Sequence, residues 1–306
     1  MMDNAYAQTV RLLLMVAPDV FANDIFAMKG GTAINLFVQD MPRLSVDIDV
    51  VYVPWQTPRE EALQAIADEL DAIARRLDKL DLRSRKIASK GLGDTKLIVE
   101  DDDNQVKIEV NVVFRGTVLP IERRTLCAKT AEMFSVELEL PTLAPDELYG
   151  SKLVAAMDRQ HPRDLFDVWN LYQSGGISDE TIECFVIYLA GHNRPTHEVL
   201  FGNEKDIAHE YHSSFLGMTT GEPVALDALL ETRAQLRAEL PKRLTDKQRQ
   251  FLLGLTQTQP DWDLLKCPHA GELPALRWKL SNLETFSKSR PADFQKQIKD
   301  LERQLV

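Results

Sequence analysis

Residues 28–51 read MKGGTAINLFVQDMPRLSVDIDVV, and the order of elements in this stretch decides the fold. Residues 25–28 form a short apolar run that ends at the pair Gly30 and Gly31, the pattern of a strand entering a turn. TAINLFVQ, from Thr32, reads as a short helix. LSVDIDVVYV then alternates and is rich in β-branched residues, which predicts a strand.

On a strand, residues i and i+2 share a face. Asp47 and Asp49 therefore project together, while Val46, Ile48 and Val50 point into a core. Two adjacent carboxylates raise each other's pKa unless a cation lies between them. A hard divalent ion, magnesium (or manganese), takes oxygen ligands and suits such a pair. Upstream, Gly30, Gly31 and Thr32 offer close backbone approach and helix N–H groups to a phosphate. Taken singly, a D-x-D usually marks a solvated strand face and a glycine pair is usually only a turn. The two together, joined by one helix, favour a phosphate-and-metal site. Ser45 is two residues before Asp47 and is either a phosphate contact, even a phosphoryl acceptor, or a plain strand-entry serine. Arg43 is a further candidate phosphate contact.

Outward from this stretch, residues 3–17 repeat apolar positions at helical spacing. Residues 58–80 predict a helix with Pro58 near its start and a stripe of Leu63, Ile66, Leu70, Ile73 and Leu77. LRSRKIAS, TKLIVED and QVKIEVNVVF predict strands, with residues 100–104 as a hairpin tip. FSVELEL predicts a closing strand near Pro141. From Pro145 the apolar spacing becomes helical almost throughout, punctuated at Gly175-Gly176, Pro195, Pro223, Pro241 and Pro268. The expected fold is α+β: a mixed sheet flanked by helices over residues 1–143, followed by an all-helical domain over residues 144–306.

The chain has 306 residues, 44% apolar and 27% charged, long enough to close its own core and unlike disordered or low-complexity chains. No run of about 18 uncharged apolar residues exists, so no membrane span is expected. The first twenty residues lack the basic start and the apolar length of an export signal. Three dispersed cysteines, Cys127, Cys184 and Cys267, match neither a disulfide framework nor a zinc spacing. A cytoplasmic protein with reduced thiols is expected. Lys and Arg total 36 against 47 Asp and Glu, a formal charge of -11. A nucleic-acid partner would therefore need a local basic patch; a basic protein or a small nucleotide fits the acidic balance as well.

G-G-T, a short helix and R-L-S-V-D-I-D-V resemble the DNA polymerase β-type nucleotidyltransferase superfamily. KGGTAINLF with PRLSVDIDV more closely resembles the AbiEii/AbiGii abortive-infection toxin family. The resemblance extends over residues 26–53, 107–111 and 146–170, and implies a nucleotidyltransferase-type sheet. It implies a toxin that uses magnesium and a nucleoside triphosphate, is encoded beside a cognate antitoxin, and in some relatives adds nucleotides to the tRNA 3′ end. The superfamily places a third carboxylate on a neighbouring strand. Glu109, which shares a face with Lys107 and Asn111, is the candidate, as metal ligand or base. An exposed acid on an edge strand is the plainer reading.

In DELYGSKLVAAMDRQHPRDLFDVW, Lys152 and Arg159 lie two turns apart on one side of a helix. Pro162 opens the next helix, with Arg163, Asp164 and Asp167 close behind. The block resembles a second motif of the same family, which implies that Lys152 neutralises a triphosphate and that Asp167 supports catalysis or nucleotide binding. A salt-bridge network between two helices accounts for the same residues, and Asp164 is expected to pin the pair.

HEYH (209–212) lacks the spacing of a zinc site. GLGD (91–94) reads as a turn. Most basic pairs are expected to be solvated, and RSRKIASK is the best candidate for an RNA-backbone contact, on the sheet that carries the carboxylates. The alternatives to a tRNA-directed enzyme are a small-molecule nucleotidyltransferase, a kinase-like phosphoryl transferase and a non-catalytic nucleotide-binding module.

Overall fold

The structure, a computed structural model, describes residues 4–89 and 93–305. Lys90 and the first two residues of the turn expected over residues 91–94 lie outside the described residues; the last two begin a strand. The chain divides into two compact units, Met1–Leu148 with Gly217–Glu222, and Tyr149–Leu216 with Pro223–Val306.

Among the described residues the first unit is built on seven strands: β1 (Phe26–Lys29), β2 (Asp47–Tyr52), β3 (Arg83–Ser89), β4 (Gly93–Glu100), β5 (Gln105–Asn111), β6 (Glu122–Thr125) and β7 (Glu139–Thr142). They form one mixed sheet in the order β3-β4-β5-β2-β1-β7-β6. β2 runs antiparallel to β1 and parallel to β5, and β5 is antiparallel to β4. Ile48, Val50, Leu97, Val99, Val106 and Ile108 are fully buried and by register share one face. The helices α1 (Asn4–Val20) and α3 (Arg59–Asp78) pack on it. α3 begins after Pro58, carries Glu60 and Glu61 in its first turn and Arg75 and Arg76 in its last, and so complements its own dipole. Its buried Ile66, Leu70, Ile73 and Leu77 each contribute about 1.5–3 kcal/mol by leaving water.

Between β1 and β2 the glycine pair does not precede a helix but begins one. The helix α2 (Gly30–Ala33) passes directly into a π-helical turn, Ile34–Val38, closed by Gln39 N–H to the Ile34 carbonyl at 2.7 Å. Asn35 Nδ2 donates back to the Gly31 carbonyl at 2.8 Å. The loop after it is braced by a segment distant in sequence: Leu44 N–H donates to the Met218 carbonyl at 2.9 Å and Thr220 N–H to the Pro42 carbonyl at 3.0 Å.

FSVELEL is only partly a strand. Phe134 ends a short helix, α4 (Ala128–Phe134), Ser135 takes a left-handed conformation, and β7 starts at Glu139. β6 has the sequence ERRT, which lacks the apolar alternation that marks a strand.

The second unit is helical. α5 (Pro145–Asp158) starts in the first unit; then follow α6 (Pro162–Gln173), α7 (Asp179–Ala190), α8 (Thr196–Leu200), α9 (Ala208–Ser214), α10 (Leu226–Arg243), α11 (Asp246–Thr256), α12 (Pro274–Ser289) and α13 (Pro291–Leu305). Side-chain caps fix several starts. Ser178 accepts from Thr181 N–H, and Thr245 and Gln248 form a reciprocal capping box. α10 runs through Pro241 instead of stopping there. Lys279 is buried and donates to the carbonyls of His192 and Arg194 at 2.7 and 2.8 Å; burial lowers its pKa to about 8. Among the described residues no helix is long and apolar enough to cross a membrane.

Candidate active site

The register across four strands builds the site. Lys29 on β1 stands opposite Asp49 on β2, Asp49 opposite Glu109 on β5, and Glu109 opposite Lys96 on β4. One step along, Asp47 pairs with Lys107. All six lie on the face opposite to the core, because Ile48 and Ile108 hold the intervening positions inward. The row thus sets two carboxylates side by side, a disfavoured like-charge pair, with a lysine flanking it on each outer strand.

The side chains follow the register. Lys107 Nζ lies 3.1 Å from Glu109 Oε2 and 3.9 Å from Asp47 Oδ1, and Lys96 Nζ lies 3.1 Å from Glu109 Oε1. Burial pushes the Asp49 carboxyl up; Lys29 opposes this, while Asp47 and Glu109 add to it. Burial also pushes Glu109 up, but hydrogen bonds from Lys107 and Lys96 outweigh it and hold that carboxyl below its ordinary value. The two facing carboxyls are therefore shifted in opposite directions.

The glycines leave room for this arrangement. Gly30 has φ +77°, and a Cβ there would collide with Asp49 Oδ2. A Cβ on Gly31 would lie 2.7 Å from Arg43 Nη2 and 3.2 Å from Ser45 Oγ. Arg43 is buried and donates to the Leu44 carbonyl at 2.9 Å. Thr32 Oγ1 is hydrogen-bonded to Ser45 Oγ at 2.9 Å and to the Asp47 carbonyl, tying α2 to the start of β2. A guanidinium, two hydroxyls and glycine backbone thus meet beside the two aspartates, the donor set of an anion pocket.

Three carboxylates on one face, with a lysine ammonium already lodged between two of them, have the donor chemistry a hard divalent cation needs. Among the described residues, no three Asp, Glu, His or Cys side chains converge closely enough to hold a metal ion as they stand. Lys107 separates Asp47 from Glu109.

The second unit holds its own cluster. Lys152 Nζ lies 2.8 Å from Asp164 Oδ1 and 2.9 Å from Asp167 Oδ2. Arg159 reaches Asp164 through Nε and, at 2.9 Å, through Nη2. Both aspartates are only 1% exposed. His161 caps α6, its Nδ1 accepting from Arg163 N–H at 3.1 Å. Asp164 accordingly pins α5 to α6, and Lys152 sits between two buried carboxylates.

Sequence reasoning paired Lys107 with the face of Glu109 but gave it no role, and it passed over Lys29 and Lys96. The signal was present in TKLIVE, where alternation puts Lys96 and Glu100 on one face. The contact between residues 217–222 and the loop before β2 had no sequence signal.

The model of the nucleotidyl transferase AbiEii toxin family, described as a type IV toxin–antitoxin system, matches residues 11–282. Among solved structures, MenT4, a nucleotidyltransferase toxin from Mycobacterium tuberculosis H37Rv, is similar with a TM-score of 0.58 and 19% identity, over 89% of this chain and 93% of that one. At that identity the likeness speaks for the fold alone. No curated protein matches the sequence. The family match spans both units and takes in the glycine turn, the carboxylate strands and the Lys152 cluster, so the chain belongs to the AbiEii nucleotidyltransferase toxins of type IV toxin–antitoxin systems.

Proposed function

We propose that the protein transfers a nucleoside monophosphate from a nucleoside triphosphate to an acceptor hydroxyl at an RNA 3′ end, with tRNA as the acceptor and a block to translation as the consequence. The acceptor oxygen attacks the α-phosphorus in line, the bond to the β-phosphate oxygen breaks, and pyrophosphate leaves. Asp47, Asp49 and Glu109 would hold magnesium or manganese. When bound, such an ion makes the hydroxyl more acidic and offsets the charge of the leaving group. Glu109 would serve as a further metal ligand or as the base for the acceptor hydroxyl. Gly30, Gly31, Thr32, Ser45 and Arg43 hold the outer phosphates. By the resemblance of their motif to the family's, Lys152 and Asp167 serve nucleotide binding, and Asp164 holds Lys152 in place.

The observation that carries this reading is the Asp49–Glu109 and Asp47–Lys107 register beside Gly30. The RNA acceptor draws support from β3. Its Arg83 and Arg85 are 68% and 61% exposed and by register share the carboxylate face. β3 is three strands from β2, roughly 14 Å at ordinary strand spacing, a span that two or three nucleotides of single strand can bridge. Membership in a toxin–antitoxin family supports a cognate antitoxin as partner.

The test is incubation of the purified protein with total RNA and α- or γ-labelled triphosphates. Label from the α-position at RNA 3′ ends supports the reading. Label only from the γ-position, or only on small acceptors, would replace it with phosphoryl transfer or small-molecule modification.

A further inference from the structure

At the level of Asp49, the sheet face presents three carboxylates, Asp47, Asp49 and Glu109, and three lysines, Lys29, Lys96 and Lys107. The cluster is neutral as it stands. Lys107 is its hub, 3.1 Å from one carboxylate and 3.9 Å from another. A divalent ion binds carboxylate oxygens at about 2.1 Å, so it cannot enter between Asp47 and Glu109 while that ammonium remains. Lys107 is about one-third exposed, and its four-carbon stem is free to rotate.

We propose that Lys107, backed by Lys96, is the resident counter-ion of the carboxylate cluster, that an incoming divalent cation takes its place, and that the displaced ammonium then holds the anionic end of the nucleotide. The inference rests on the metal reading of Asp47, Asp49 and Glu109. The charge change is its core: replacing an internal pairing by an added divalent ion takes the face from neutral to two positive charges. The site then attracts a triphosphate only once the cation is in place. Before that, the lysines offset the negative charge of the carboxylates on the sheet face. Lys96 contacts Glu109 alone among the three acids, so it seconds Lys107 and does not block the ion's position.

The test uses the full-length protein with Mn²⁺ alone as the first probe, by calorimetry or electron paramagnetic resonance. A non-hydrolysable adenosine triphosphate analogue at saturating Mn²⁺ is the second probe. Lys107→Gln is expected to bind Mn²⁺ about tenfold more tightly than wild type and the analogue several-fold more weakly. Lys107→Arg should restore analogue binding, and Lys96→Gln should shift Mn²⁺ affinity less than Lys107→Gln does. A variant that is merely misfolded would lose both ligands. Unchanged or weaker Mn²⁺ binding by Lys107→Gln, with Asp49→Asn abolishing it, overturns the displacement and leaves the metal reading standing. Mn²⁺ binding by Asp49→Asn equal to wild type overturns both.

Discussion

Asp49 and Glu109 are direct partners on adjacent parallel strands, and the residues on either side of each, Ile48 with Val50 and Ile108 with Val110, are buried in the core. The juxtaposition of the two acids is thus enforced by packing behind them. A slip of one residue would turn the carboxylates inward and the isoleucines out.

Gly30→Ala tests how tightly the turn is fitted to Asp49. The left-handed backbone alone costs about 1–2 kcal/mol with a Cβ present, and the new methyl collides with Asp49 Oδ2. The variant is expected to melt a few degrees lower and to lose at least about tenfold in nucleotide incorporation. A melting curve and a labelling assay check both; full activity would show that Asp49 needs no such clearance.

Asp164→Asn leaves Lys152 with a weakened buried partnership. The expected loss is about 3–5 kcal/mol at pH 7, read by urea denaturation. Burial alone would raise the Asp164 carboxyl, but Lys152 and Arg159 outweigh it and hold it far below the carboxylate range. Since the folded pKa lies below the unfolded value of about 4, this stabilisation is complete above that pH and is lost as pH falls further. The gap between wild type and variant should therefore narrow below about pH 4. A gap independent of pH would contradict the ion-pair account.

Arg83→Gln with Arg85→Gln probes the edge strand as an RNA contact. Removing two phosphate contacts should flatten the salt dependence of single-stranded RNA binding by about 1.4 in log–log slope. Affinity for the triphosphate should stay unchanged. An identical slope would move the RNA path elsewhere.

Thr220→Val removes hydrogen bonds from the segment that braces the loop before β2. Thr220 Oγ1 donates to the Met41 carbonyl at 2.5 Å and accepts from Lys129 Nζ at 3.2 Å. A loss of about 1 kcal/mol is expected, with faster hydrogen exchange at residues 41–46. Exchange confined to residues 217–222 would mean that the brace does not control the loop.

The α+β class, the helical second half and the shared face of Asp47 and Asp49 were legible because they rest on local period. Glu109 was reachable only through the family resemblance, since strand alternation does not reveal which strands are neighbours. The ammonium between the acids was half legible: Lys107 shares a face with Glu109 by alternation, but its proximity to Asp47 depends on the β2–β5 register. β6 was missed because ERRT has charge where a strand signal needs apolar residues. The role of residues 217–222 was invisible because the pairing joins segments far apart in sequence through backbone groups.

The most direct measurement is incorporation of α-labelled triphosphate at RNA 3′ ends by wild type, Asp47→Asn and Asp49→Asn, each first shown to be folded. Wild type should label the RNA, and each variant should fall by roughly a hundredfold or more. Labelling by either folded variant at the wild-type rate would contradict the role given to the paired aspartates.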